Sequence, residues 1–134
     1  MKKIVLPLKI VNQILAHAQS QAEEEICGLI AEHHGEISAI YPIQNIAVDR
    51  ENLYRMDGKS QIDAMRHMRE KDQRLYAIYH SHPHSVAYPS ARDVNEVQYQ
   101  DVVYLIISLD IKGVLDLRGY RLKDREIEVL KVVV

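Results

Sequence analysis

Three histidines, three serines and an aspartate crowd the stretch HSHPHSVAYPSARD, residues 80 to 93 of a 134-residue chain. Imidazole nitrogens and carboxylate oxygens are donors that a zinc ion takes, and His80 and His82 stand two apart at the end of RLYAIYH, a run that reads as a strand over 74 to 80. Side chains at i and i+2 of a strand share a face, so both imidazoles can reach one ion. Pro83 cannot donate a ladder hydrogen bond and tends to end the strand, which leaves the pair at its rim. Catalytic zinc commonly takes three protein ligands and keeps a fourth position for water. Asp93 is the nearest carboxylate downstream, and with the two histidines it would complete an open site. Ser90-Ala91-Arg92-Asp93 is also a helix N-terminal signature, in which Ser90 caps the first turn and Asp93 favours the positive end of the dipole. That alternative accounts for the serine and the aspartate but leaves the histidines unexplained.

The surrounding chain must place these groups. Residues 3 to 6, KIVL, predict a short strand ended by Pro7. Val11, Ile14, Leu15 and Ala18 then recur at helical spacing, predicting an amphipathic helix to about residue 22. ICGLIAE and HHGEISAIYPI, with His34-Gly35 as a turn, predict an antiparallel pair over residues 25 to 44. The polar segment QNIAVDRENLYRMD reads as a loop with one short strand near Leu53 to Met56. Ser60 with Asp63 suits a helix start, and helix formers continue to about Lys71. After the histidines, ARDVNEVQYQ predicts a helix, and VVYLIISL a strand buried on both faces. Two more strands are expected at 113 to 120 and 126 to 133. The order (β)αβββαβαβββ is that of a mixed α/β or α+β fold around one sheet, a single domain spanning residues 1 to 134.

Composition narrows the function. A formal charge of -2 with no long Lys/Arg block lacks the footprint of a protein that neutralises many phosphates, so no nucleic-acid partner is expected. No apolar run approaches the roughly 18 residues needed to span a bilayer, and MKKIVLPLKI has no signal-peptide core, so no membrane partner and a cytoplasmic location are expected. The single cysteine, Cys27, excludes an internal disulfide and a multi-cysteine zinc cluster, so any metal is held by histidine and carboxylate.

The pattern H-x-H-x(7)-S-x-x-D, here His80, His82, Ser90 and Asp93 with Ser81, Pro83 and Pro89 filling in, resembles that of the JAMM (MPN+, Mov34) metalloproteases. Their motif also has an upstream glutamate in a Glu-x-Cys-Gly context, matched by Glu25-Ile26-Cys27-Gly28. The resemblance covers nearly the whole chain and implies a small prokaryotic stand-alone member with a mixed sheet flanked by helices, a JAMM/MPN fold resembling cytidine deaminases. It departs from the family in having Glu23-Glu24 where a proline often precedes the glutamate. Carried over, it implies one zinc per chain held by His80, His82 and Asp93, with Glu25 as general base and Ser90 as a hydrogen-bond donor. It also implies hydrolysis of an amide or isopeptide bond at the C-terminal tail of a ubiquitin-fold sulfur-carrier protein. Family members acting on cell-wall or other small peptides offer an alternative substrate, and a non-catalytic MPN scaffold a third reading. Scaffold modules typically lose one or more of these five residues, all present here.

Other candidates have simpler readings. Glu23 and Glu24 belong to a solvated helix end, and only Glu25 has the spacing to Cys27-Gly28. Cys27, in an apolar run, reads as a small buried hydrophobe and not a nucleophile. His84 reads as a solvated loop residue, and His17, His33, His34 and His67 as surface residues. A zinc deaminase is disfavoured because H-x-E and P-C-x-x-C elements are absent. The apolar C-terminal VLKVVV offers a strand for pairing with another copy in a homodimer.

Overall fold

The computed structural model describes residues 1–134. Its elements are β1 (Lys3–Val5), α1 (Leu8–Ser20), β2 (Cys27–His33), β3 (Glu36–Ile43), α2 (Gly58–Glu70), β4 (Arg74–His82), α3 (Ala91–Asn95), β5 (Val103–Ser108), β6 (Asp116–Lys123) and β7 (Glu126–Val133). Seven strands form one mixed sheet in the order β1-β7-β6-β5-β4-β2-β3. The β1·β7 and β4·β5 pairs are parallel and the others antiparallel. No helix is long and apolar enough to cross a membrane.

Strand alternation divides the core into two layers. On one face Ile10, Val11, Ile14 and Ala18 of α1 pack on Ala77 and Tyr79 of β4 and on Val103, Leu105 and Ile107 of β5. On the other, Ala64 and Met68 of α2 join Ile78, Tyr104, Ile106 and Tyr120. Residues 78, 80 and 82 share a parity, so the histidines face the α2 side. A parallel β4–β5 pair requires a crossover rather than a hairpin. That crossover leaves the C-terminal end of β4 just after the histidines, and it carries α3 with Ser90 and Asp93.

Most elements fall where the sequence predicts them, and the differences have physical causes. Strand β4 runs to His82 because Ser81 and His82 still pair with Ile107 and Ser108 of β5. The helix expected over 91 to 100 stops at Asn95, after which the chain turns toward the start of β5 and the Tyr99 amide donates to the Tyr104 hydroxyl, 3.3 Å away. The strand expected at 53 to 56 shrinks to one bridge, Asn45 with Met56. The strand expected from 113 starts at Asp116, because Gly113 adopts a left-handed φ of 78° in a turn. The C-terminal VLKVVV lies within the sheet, between β6, which pairs with Glu126–Leu130, and β1, which pairs with Lys131–Val133. His17 is half-buried rather than on the surface, with Nδ1 2.7 Å from the Tyr79 hydroxyl.

Gly28 shows why a glycine follows Cys27. It pairs with Tyr79 across β2 and β4, and the phenol ring lies where a Cβ on residue 28 would stand. Because Tyr79 is fully buried among α1 and β5 side chains, it cannot swing away. Gly28→Ala should therefore destabilise the fold by about 1–3 kcal/mol in chemical denaturation, the usual cost of overpacking, and the loss should shrink when Tyr79 is also replaced by Leu.

Candidate metal centre

At the end of β4 three donor atoms converge. His80 Nε2 and His82 Nε2 lie 3.1 Å apart, and each is 3.2 Å from Asp93 Oδ2. A tetrahedral zinc with ligand bonds of about 2.0–2.1 Å has ligand-to-ligand edges of about 3.3 Å, so this triangle has the dimensions of one face of such a site. The donor chemistry fits as well. His82 Nδ1 is 2.7 Å from the Val86 carbonyl, which can only accept, so this nitrogen carries a proton, and in the neutral ring that a metal would take Nε2 is the bare nitrogen turned to the triangle.

The Asp93 carboxylate reaches the triangle through a capping box. Ser90 Oγ accepts the Asp93 amide at 3.0 Å, and Asp93 Oδ2 accepts the Ser90 amide at 2.9 Å. The capping that the sequence suggests for Ser90 and Asp93 is present, and the oxygen that caps the helix is also the one facing the imidazoles. Burial pushes the Asp93 carboxyl up, but attraction to His80, together with hydrogen bonds from His80, His82 and the Ser90 amide, overrides it and holds the group well below the usual carboxylate range. Burial would lower the His82 pKa, yet its bonds to Asp93 and the Val86 carbonyl win and raise it.

Glu25 sits beside the histidines, with a carboxylate oxygen within 4.8 Å of a nitrogen of each. It lies just before β2, and its backbone is pinned from three sides. The Glu25 amide donates to the Arg50 carbonyl at 2.7 Å, Asn45 Nδ2 donates to the Glu25 carbonyl at 2.8 Å, and the next amide, of Ile26, donates to Ser81 Oγ at 2.9 Å. Against that fixed backbone the side chain is 5% exposed and its Oε1 has no hydrogen-bond partner. Burial pushes its pKa up to about 8; His82 pulls it down, and the nearby Asp93 and Asp49 push it further up. A buried oxygen without a partner is rare and points to a ligand or a proton-transfer role.

The structure thus brings together all five residues marked in the sequence, Glu25, His80, His82, Ser90 and Asp93. Ser90 is exposed, and because its Oγ accepts from an amide its own proton is free to be donated. His84 lies outside the cluster, exposed and 3.3 Å from Glu23. Cys27 is fully buried, its thiol pushed up to about 12 chiefly by burial, which makes it inert as a nucleophile. Two contributors were not visible in the sequence. Tyr54 lays its ring on His80, centroids 4.6 Å apart at 31°, on the side of an imidazole whose Nδ1 has no hydrogen-bond partner. Asn45 uses both ends of its amide, donating to the Glu25 and Leu53 carbonyls and accepting from the Ala47 and Arg55 amides. Beside the cluster opens a cleft of about 580 Å³, whose wall includes Tyr54, Arg55, Ser90, Arg92 and Asp93.

The raised Glu25 pKa has a consequence for stability. Without metal, the folded state holds a proton on Glu25 up to about pH 8, whereas an unfolded chain releases it near 4.5. Folding therefore loses stability as pH rises between those values, and a glutamine has nothing to lose. In chelator-treated protein, Glu25→Gln should gain stability over the parent progressively from pH 5 to 8.5, by at most about 4 kcal/mol, as read from urea unfolding midpoints. A difference that is flat with pH would contradict the burial cost.

Comparison with known proteins gives the family. Residues 7–122 match the family model described as prokaryotic homologs of the JAB domain. The chain is 32% identical over 122 residues to the CysO-cysteine peptidase of Mycobacterium tuberculosis, covering 90% of this chain and 84% of that protein. It is 30% identical over 105 residues to the desampylase of Haloferax volcanii, covering 74% and 76% of the two chains. The solution structure of a protein from Desulfitobacterium hafniense superposes with a TM-score of 0.86 at 27% identity, over 96% of this chain and 90% of the other. At 16% identity, a JAB1/MPN domain protein from Archaeoglobus fulgidus shares the fold with a TM-score of 0.62, over 98% and 97%. With the match running from Pro7 to Leu122, and so through the strand, crossover and hairpin that build the cluster, the chain belongs to the JAMM/MPN+ family as one of the prokaryotic homologs of the JAB domain.

Proposed function

We propose that this protein is a zinc peptidase that cleaves an amide or isopeptide bond at the C-terminal tail of a ubiquitin-fold sulfur-carrier protein. One observation carries the hydrolytic part: three zinc-type donors at 3.1–3.2 Å lie beside a buried carboxyl whose oxygen lacks any partner. The substrate class rests on the relatives, which are named as a CysO-cysteine peptidase and a desampylase.

His80, His82 and Asp93 would hold the ion. Zinc there would supply Lewis acidity, activating a water at neutral pH and polarising the scissile carbonyl. Glu25 accepts the proton that the attacking water gives up and delivers it to the departing amine. Its burial suits both halves of that task, because a carboxyl with a raised proton affinity can hold the proton near neutrality and still release it. The Ser90 hydroxyl, its Oγ anchored by the Asp93 amide, donates to the oxyanion that develops on the substrate carbonyl. Such a donor is worth roughly 3 kcal/mol in other enzymes. Tyr54 packs against the His80 ring, whose Nδ1 has no hydrogen bond to hold it.

Intact-mass measurement on Gly-Gly-tailed carrier proteins extended by a few residues should show loss of the extension. Absence of cleavage across such a panel, with one zinc bound per chain, would sink the substrate reading. Glu25→Gln should keep zinc and lose turnover by about 10²–10⁴-fold, the usual reach of a general base. His82→Ala should lose both the metal and the activity. Tyr54→Leu should weaken zinc binding by about 10-fold or more, as loss of an orienting neighbour does, and Tyr54→Phe should restore it, as followed by competition with a chromophoric chelator.

A further inference from the structure

The cleft beside the cluster has an unbalanced wall. Two guanidinium groups line it, Arg55 and Arg92, along with two carboxylates, Asp93 and Glu96. Arg92 is already paired, its Nε 3.1 Å from Glu96 Oε2. Asp93 is turned away to the histidines. Arg55 alone is exposed with no carboxylate and no hydrogen-bond acceptor at its guanidinium. Its backbone is nonetheless fixed with respect to the reacting groups. The Arg55 amide donates to Asn45 Oδ1 at 3.0 Å, and the other end of that same Asn45 amide donates to the Glu25 carbonyl. The residue before it, Tyr54, stacks on His80.

We propose that Arg55 forms a carboxylate subsite that binds the free α-carboxylate of a single residue released from the carrier tail. The inference rests on the peptidase reading above and narrows it to removal of a terminal residue with a free acid end. A planar guanidinium matches a carboxylate through two parallel hydrogen bonds, and no other cation on this wall is free to do so. In the reaction the C–N bond of the terminal amide breaks and the water oxygen joins the carbonyl carbon. The nitrogen takes up one proton and departs as a free amino acid.

The test uses zinc-loaded full-length protein and one carrier protein whose Gly-Gly tail is extended by a single alanine, prepared as the free acid and as the C-terminal carboxamide. Rates of alanine or alaninamide release are followed by intact mass. The parent protein should favour the acid by 10-fold or more in kcat/KM. Arg55→Gln should bring that ratio close to one, and Arg55→Lys should retain part of it. Equal cleavage of acid and amide by the parent overturns the subsite while leaving the peptidase reading intact, and so does a preference that survives in Arg55→Gln. Failure to cleave either form overturns both.

Discussion

Three lone-pair donors held within 3.2 Å of one another are the constraint to which the rest of the molecule answers. Two imidazole nitrogens and a carboxylate oxygen cannot all satisfy one another, since the protons available between them are too few. The arrangement persists because each donor is fixed from behind. His80 and His82 are in ladder register with β5, their rings directed by strand alternation. Ser81, between them, points to the opposite side and takes the amide of Ile26, which anchors the segment carrying Glu25. The tripeptide His80-Ser81-His82 thus divides its labour by the period of a strand, with two residues for the site and the central one for its support.

Asp93 is positioned by different means. A five-residue helix contributes little stability of its own. What it supplies is the reciprocal capping of Ser90 and Asp93, which fixes the carboxylate on the side of the first turn that faces the strand end. The geometry that makes the cap also makes the third donor. Ser90 gains in the same way, because accepting from the Asp93 amide orients its hydroxyl while leaving the proton unspent.

Much of this was legible in the sequence because local rules govern it. Strand period places His80 and His82 together, the run VVYLIISL announces a strand buried on both faces, and His34-Gly35 marks the hairpin of β2 and β3. Tyr54 was not legible, because a tyrosine in a polar loop carries no periodic signal and acquires its partner only when the 53–56 segment is bridged to Asn45. The Val86 carbonyl that sets the His82 tautomer is backbone, and so has no signature at all. Helix α3 ended early because the crossover must deliver the chain to β5, a tertiary demand that overrides the propensity of residues 96 to 100. The position of the C-terminal strand was not legible either, because only the parallel return of β1 onto residues 131–133 of β7 places it inside the sheet.

A site of this kind is destabilising in itself, and the fold absorbs the strain in a particular way. A buried carboxyl without a partner and three crowded donors would together loosen a soft structure, or be relaxed by a small shift of β4. Such a shift is blocked on both faces of the strand. Tyr79 is locked between Gly28 and α1, and its hydroxyl meets His17. On the other face, Ile78 is packed among Cys27, Ile106 and the residues of α2. The glycine in Glu25-Ile26-Cys27-Gly28 is therefore a packing requirement, Cys27 is an inert filler, and only Glu25 sets its side chain beside the histidines.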